Sequence, residues 1–239
     1  MSQKLRMPTL VMVAALIPTV TATCQDQTLP TADEVITDFI EALGGPIALS
    51  DITTCRMVGS FSFQVHRSEL EIKYKNGRCL VHKTNPEMSF GNNRRQWWWQ
   101  RGQHFGREPV MDDDALIASQ MFLASPWFLG WQDYDGSVSI VGESVFHDKP
   151  AWRLRFANNA GFTVDRYFDK ETGLLLGSRS VVHGDVAEWE LEFRETDGVL
   201  WVSRALCHAR GQTAELVVNE VELEVLIDSN EFGLTKPTR

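Results

Sequence analysis

The sequence holds few of the short signatures by which enzymes are recognised. It has no Gly-x-Ser-x-Gly, so the usual serine-hydrolase elbow is excluded. It also lacks a glycine-rich phosphate loop. Six histidines, His66, His82, His104, His147, His183 and His208, are scattered without His-x-His or His-Glu-x-x-His spacing. His183-Gly184-Asp185 reads as a turn rather than a ligand pair. Cysteine is scarce, with four residues and no Cys-x-x-Cys, which argues against a zinc site. Basic residues fall short of acidic ones, 23 against 32, for a net charge of −9. That balance disfavours nucleic acid and electrostatic adhesion to anionic lipid, and reads as good solubility. No low-complexity linker divides the chain, and no repeat of solenoid or propeller period occurs. These absences predict no catalytic residues, no metal and no cofactor. Paired strand carboxylates such as Glu190 and Glu192 read as a solvated face rather than as glycosidase acids.

Long apolar runs are also lacking, apart from Leu10–Ile17. This run follows Lys4 and Arg6, is closed by Pro18, and precedes the small residues Val20-Thr21-Ala22. The pattern is that of a secretory signal peptide over residues 1–22, and the run is short for a membrane span. No other segment reads as transmembrane, so an exported protein of the periplasm or cell envelope is expected. Removing residues 1–22 takes two positive charges and no negative ones, which leaves 21 basic against 32 acidic residues, a net −11. Cys24 stands where a lipoprotein carries its acylated cysteine. Thr21-Ala22-Thr23 is a poor lipobox, however, so plain secretion is favoured over lipid anchoring. Cys55 and Cys79 fall in strands near each other in sequence, and a disulfide is open to them in an oxidising compartment; buried free thiols, with Cys207 a third, are at least as well supported.

What the sequence does contain is alternation. Between Val186 and Ile227, Ala187, Trp189, Leu191 and Phe193 alternate with Glu188, Glu190 and Glu192. Val221, Leu223, Val225 and Ile227 alternate with Glu220, Glu222 and Glu224. Period-two patterning this clean predicts a three-strand antiparallel meander with one dry and one wet face. Thr196-Asp197-Gly198 marks the first turn. As a three-residue loop it would set Glu190 opposite Arg204 on the wet side. Trp189, Phe193, Trp201 and Ala205 would share the dry side.

Upstream, Thr31 and Glu34 form a capping box ahead of a stripe of Val35, Ile36, Phe39, Ile40 and Leu43. Gly44-Gly45 ends this helix and Pro46 opens a short second turn. Strands follow from Thr53 to Tyr74, with a hairpin at Asn76-Gly77 and a return over Arg78–Thr84; Asn85-Pro86 marks a loop. Further strands are expected at Gln96–Gln100, just beyond Arg101-Gly102, and at Val138–Val141, Ala151–Phe156, Phe162–Phe168 and Leu174–Val182. Asp112-Asp113-Asp114 opens a central helix to about Leu123. The expected fold is mainly β: about ten strands in one highly curved antiparallel sheet, with helices covering its concave face. Gly59 and Gly177, inside strands, would allow the coiling.

Aromatic residues are concentrated. Trp97 and Trp99 point one way from their strand and Trp98 the other. Trp127, Phe128, Leu129, Trp131 and Tyr134 crowd into the stretch 124–134, where Pro126 and Gly130 favour a loop. Trp97, Trp99, Met121, Phe122, Trp127, Phe128 and Trp131 read equally as core or as the lining and lid of a ligand cavity. Trp189 and Trp201, on the dry face, complete the candidate ligand-contacting set. The residues point to a binding protein without naming its ligand.

Ala32–Gly45, Arg166-Tyr167-Phe168-Asp169 with Glu171-Thr172-Gly173-Leu174, Thr196-Asp197-Gly198-Val199, and the closing Ile227-Asp228, Phe232 and Lys236-Pro237 together resemble the LolA/LolB-like half-barrels, the outer-membrane lipoprotein-sorting proteins. The resemblance implies an incomplete barrel over residues 31–237, after a signal peptide (1–22) and a short leader (23–30). Its apolar concavity would shield the acyl chains of a lipid or lipoprotein, with an envelope protein as acceptor. A filled half-barrel acting as a scaffold or sensor in an envelope complex is the alternative. For the export reading, mass measurement of the mature protein should show loss of about the first 22 residues with no added acyl mass. A diacylglyceryl group on an amino-terminal Cys24 would overturn it.

Overall fold

The computed structural model describes residues 29–76, 78–84, 87–92, 97–106, 137–157, 163–182 and 184–232. Helix α1 (Ala32–Ala42) starts at the expected cap: Glu34 N donates to Thr31 Oγ1 at 3.2 Å, and Thr31 N donates to Glu34 Oε2 at 2.7 Å. Helix α2 (Pro46–Asp51) follows with proline in its first turn, where a missing N–H costs nothing. The strands are β1 (Thr54–Phe63), β2 (His66–Lys75), β3 (Arg78–Thr84), β4 (Glu87–Asn92), β5 (Trp97–Arg101), β6 (His104–Gly106), β7 (Ser137–Phe146), β8 (Lys149–Ala157), β9 (Thr163–Asp169), β10 (Leu175–Val182), β11 (Asp185–Thr196), β12 (Val199–Ala209) and β13 (Gln212–Leu223). A 3-10 turn, Ser229–Phe232, closes the described chain.

All thirteen strands join one antiparallel sheet in the order β6-β5-β4-β3-β2-β1-β13-β12-β11-β10-β9-β8-β7. Two meanders therefore meet where β1 pairs with β13, and the edge strands β6 and β7 are consecutive in the chain. Register shifts fall beside both suspected glycines, between Val58 and Gly59 and between Leu175 and Gly177. A Cβ at Gly59 would lie 2.0 Å from the Val217 carbonyl oxygen, and one at Gly177 would lie 2.0 Å from that of Trp189. No side chain fits there, so the backbones approach closely and the sheet coils.

The concave face carries one continuous apolar core. Helix α1 lies on it through Val35, Ile36, Phe39 and Leu43, all buried. Phe39 meets Phe168 of β9 and Phe193 of β11 edge-on, at 5.4 and 6.4 Å between ring centroids. The Leu43 carbonyl accepts from Leu200 N at 2.9 Å, which ties the helix end to β12.

The convex face is a lattice of ion pairs. Arg56 bridges Glu71 and Glu222, Arg204 bridges Glu192 and Glu215, and Arg153 and Arg155 converge on Asp165. Partial burial works to raise the Asp165 pKa, but hydrogen bonds from Arg155 and Arg153 outweigh it and hold the carboxyl below its usual range.

Several expectations need correction. Among the described residues thirteen strands form rather than about ten. One of them, β4, has only Met88 and Phe90 to signal alternation. The first meander turn has two residues, not three: Asp197 and Gly198 take positive φ of 53° and 78°, and Thr196 pairs with Val199. With a register shift at Glu192/Phe193, Arg204 comes to lie opposite Glu192 instead of Glu190. Trp189, Trp201 and Ala205 are nonetheless buried, with Phe193 packed against the core. The last strand ends at Leu223, because Glu224 turns to φ 52° and its carboxylate accepts from Thr53 N and Oγ1 at 2.8 and 3.0 Å. Cys55, Cys79 and Cys207 are buried, and no disulfide joins them. Tyr74 of β2 pairs with both Cys55 and Cys79. The two cysteines are thus about 10 Å apart across two strand spacings, too far for a disulfide. The central helix expected over Asp112–Leu123 lies outside the described residues.

Two stability predictions follow from this two-faced sheet. Leu216→Ala in the core should cost about 2–5 kcal/mol in denaturant unfolding, whereas Glu220→Gln on the wet face should cost less than about 0.5 kcal/mol. A depressed carboxyl pKa stabilises the fold above the unfolded value and loses that contribution as pH falls through the folded value. Asp165→Asn should therefore lower stability at neutral pH and narrow the gap to wild type below about pH 4. Equal losses across pH would show that the Asp165 charge is not what matters.

Candidate functional site

The concave face is the candidate site, and its two halves differ. On the β1–β6 half, Met57, Phe61, Leu70, Ile72, Cys79 and Val81 point inward and are buried. Burial pushes the Cys55 thiol up, with the Glu224 charge adding to the effect, and burial likewise pushes up Cys79. Both stay protonated, so neither offers a thiolate nucleophile. In the backbone register Trp97 pairs with Asn92 and Trp99 with Phe90, in the ladder between β5 and β4. Trp98 pairs with Gly91 in the opposite row. It is buried there, and its indole N–H donates to the Phe232 carbonyl at 3.1 Å. The closing turn thus packs on the convex side through its one aromatic, helped by Lys73 reaching Glu231 at 2.6 Å.

On the β7–β13 half, the pleat brings Leu154, Phe156, Phe168, Leu175, Trp189 and Trp201 to the inner side. Trp189 and Trp201 are 2% and 1% exposed, and neither indole N–H finds a partner among the described residues. A polar patch lies beside them. Arg166 of β9 is 2% exposed, in register with Leu154 and Ser178, and its guanidinium stacks 3.7 Å above the Phe156 ring. Ser178 and Ser180 of β10 are buried in the same row of the pleat. An arginine cannot shed its charge, so a guanidinium is built into this otherwise apolar row, packed against the Phe156 ring. Reading inward parity back from Phe168 finds Arg166, a position that the alternation of apolar residues alone does not mark.

Met121, Phe122, Trp127, Phe128 and Trp131 lie outside the described residues. Among the described residues, the buried polar side chains include no histidine and no carboxylate pair. Asp169 accepts from Glu171 N and Thr172 N and so belongs to its own turn. No helix among the described residues is long and apolar enough to cross a membrane.

No family model and no curated protein matches the sequence. Solved structures do resemble the fold. A DUF1329 family protein from Desulfovibrio piger superposes with a TM-score of 0.60 at 11% identity, over 84% of this chain and 97% of that one. A LolA superfamily protein from Nitrosomonas europaea gives 0.58 at 14% identity, over 84% and 97%. A putative outer membrane lipoprotein-sorting protein domain from Vibrio parahaemolyticus gives 0.55 at 10% identity, over 82% and 97%. At such identities the likeness is one of architecture: an open, curved antiparallel sheet with a helix on its concave face, which is to say a LolA-like fold.

Proposed function

We propose that the protein is a cell-envelope carrier, not an enzyme, which shields the acyl chains of a lipid or lipoprotein on the concave face of its sheet. One observation carries this reading: the open sheet presents a continuous apolar concave face whose two edge strands, β6 and β7, are joined in sequence by residues 107–136. That joining segment contains the aromatic stretch 124–134. A lid drawn from it would cover the face, with Met121, Phe122, Trp127, Phe128 and Trp131 against the chains. Trp97 and Trp99 would stand behind them, and Trp189 and Trp201 on the floor. Each methylene buried contributes about 0.8 kcal/mol, so two acyl chains suffice to hold a lipid without polar chemistry. The lid would open for entry, and an envelope acceptor protein would compete for the chains on release. The signal-peptide pattern of residues 1–22 and the architecture shared with LolA-like structures support this setting.

A second reading has its own support. Phe39, Leu43, Leu154 and Phe168 have no measurable exposure, so part of the concavity is already filled by α1. A half-barrel filled throughout would serve as a scaffold or sensor within an envelope complex. Delipidated protein titrated with a fluorescent fatty acid separates the two. The carrier should bind the probe, and Phe128→Asp should weaken binding about a hundredfold or more, by placing an unpaired carboxylate among the chains. Its melting temperature should move little, since a lid can turn the new charge to water. If the wild type binds no probe and extraction yields no lipid, the scaffold reading holds.

A further inference from the structure

The convex face carries a group of side chains with no part in the carrier reading. The β7–β8 hairpin folds its tip back over the outside of the sheet. Phe146 is 2% exposed and stacks on Tyr167 of β9 at 4.7 Å; Arg179 of β10 lies 5.3 Å over each ring. Gly177 makes room for it, because a Cβ there would meet Phe146 Cζ at 2.6 Å. The next two residues, His147 and Asp148, form the turn, with positive φ of 46° and 66°. This anchored turn delivers the His147 imidazole to β11, where Glu188 and Glu190 point outward two residues apart. His208 of β12 is the cross-strand partner of Glu188.

Donors of His147, Glu188 and Glu190 converge here, and His208 approaches one of them from β12. His147 Nε2 is 2.9 Å from Glu188 Oε1 and 3.4 Å from Glu190 Oε1. His208 Nε2 approaches the same Glu190 oxygen, also at 3.4 Å. Donor atoms of His147, Glu188 and Glu190 all lie within 4.8 Å of one another. A separation of 3.4 Å exceeds the usual N–H···O range of about 2.7–3.2 Å. The two 3.4 Å separations match the edge of a coordination tetrahedron with metal–ligand bonds of about 2.0–2.2 Å, whose donors sit roughly 3.3–3.5 Å apart, while His147 and Glu188, at 2.9 Å, are hydrogen-bonded in the absence of an ion. The far atoms of two ligands are held as well. Arg179 Nε donates to Glu188 Oε2, leaving Oε1 towards His147. His208 Nδ1 is 3.2 Å from Thr213 Oγ1, which fixes the ring with Nε2 facing inward. Such outer contacts orient metal ligands.

We propose that His147, His208, Glu188 and Glu190 form a binding site for a divalent transition-metal ion of the zinc class. Two imidazoles and two carboxylates form a nitrogen–oxygen set suited to zinc, and too nitrogen-rich for calcium or magnesium. With neutral imidazoles, the two carboxylates outweigh the Arg179 charge, so a dication is electrostatically favoured. The bound ion would clamp the tip of the β7–β8 hairpin to β11 and β12 on the face opposite the acyl-binding surface.

The test uses the mature full chain, stripped with a chelator and titrated with zinc and with cobalt. The site predicts one equivalent bound, a rise in melting temperature with metal concentration, and a visible cobalt spectrum of tetrahedral intensity. Glu190→Gln, nearly isosteric and central to the donor set, should weaken binding at least about a hundredfold. His147→Ala and His208→Ala should each weaken it at least about tenfold, and Thr213→Val by less than either. His66→Ala, at an exposed hairpin end, should change nothing. Failure of the wild type to bind stoichiometrically overturns the site, as does wild-type affinity in Glu190→Gln with a normal metal-free melting curve.

Discussion

Everything in the fold depends on the contact between α1 and the inside of the sheet. An eleven-residue helix is marginal in water, and so is an exposed apolar sheet face; each removes the other's difficulty. Phe39 sits at the centre of that exchange, edge-on to Phe168 and Phe193 and wholly excluded from solvent. The end of the helix is held by main chain as well, through the Leu43 carbonyl and Leu200 N, so the helix is positioned both along and across the strands. The helix meets β9, β11 and β12 directly, and the inward residues of β1–β3 are buried in the same continuous core.

With the apolar residues turned inward, the pleat leaves the charged ones on the outer face at spacings where they meet across strands. Arginine does most of this joining, because its forked guanidinium reaches two carboxylates on neighbouring strands. Arg56 spans β2 and β13 from β1, and Arg204 spans β11 and β13 from β12. Exposed pairs of this kind contribute little individually. Their consequence is register: a one-residue slip would bring every carboxylate of a strand to the core, so charge and hydrophobicity specify the same pairing.

The one-sided strands were legible in the sequence because each repeats its pattern many times; the helix was legible because its cap, stripe and stop all agree. What misled was single-residue geometry. The two-residue turn at Asp197-Gly198 and the bulge beside Phe193 together move the meander's register, yet they leave the inward residues inward. The break at Glu224 could not be read from alternation, since Val225 and Ile227 keep the rhythm after the ladder has ended. Arg166 was hidden by its own type, because a guanidinium on a dry row contradicts the pattern that defines the row. The cluster of His147, Glu188, Glu190 and His208 has no sequence motif. Glu188 and Glu190 are two residues apart and His208 lies on the next strand, but His147 is some forty residues away in the chain and is brought to them only by the folding back of a hairpin.

That folding back explains why titratable chemistry gathers outside this sheet rather than within it. Inside, a carboxylate or imidazole would have to shed its water against a surface of leucine, phenylalanine and tryptophan, at a cost no neighbouring group offsets. Outside, the cost is small, but a flat strand surface offers only neighbours on two adjacent strands. A third direction of approach requires another piece of chain to cross the face, and a crossing piece needs an anchor. Phe146 provides it by packing between Tyr167 and the bare backbone at Gly177. The same glycine that lets β10 approach β11 closely also makes the hollow into which the hairpin tip fits. Coiling of the sheet and the placement of His147 over Glu188 thus share one cause: the missing side chain at residue 177.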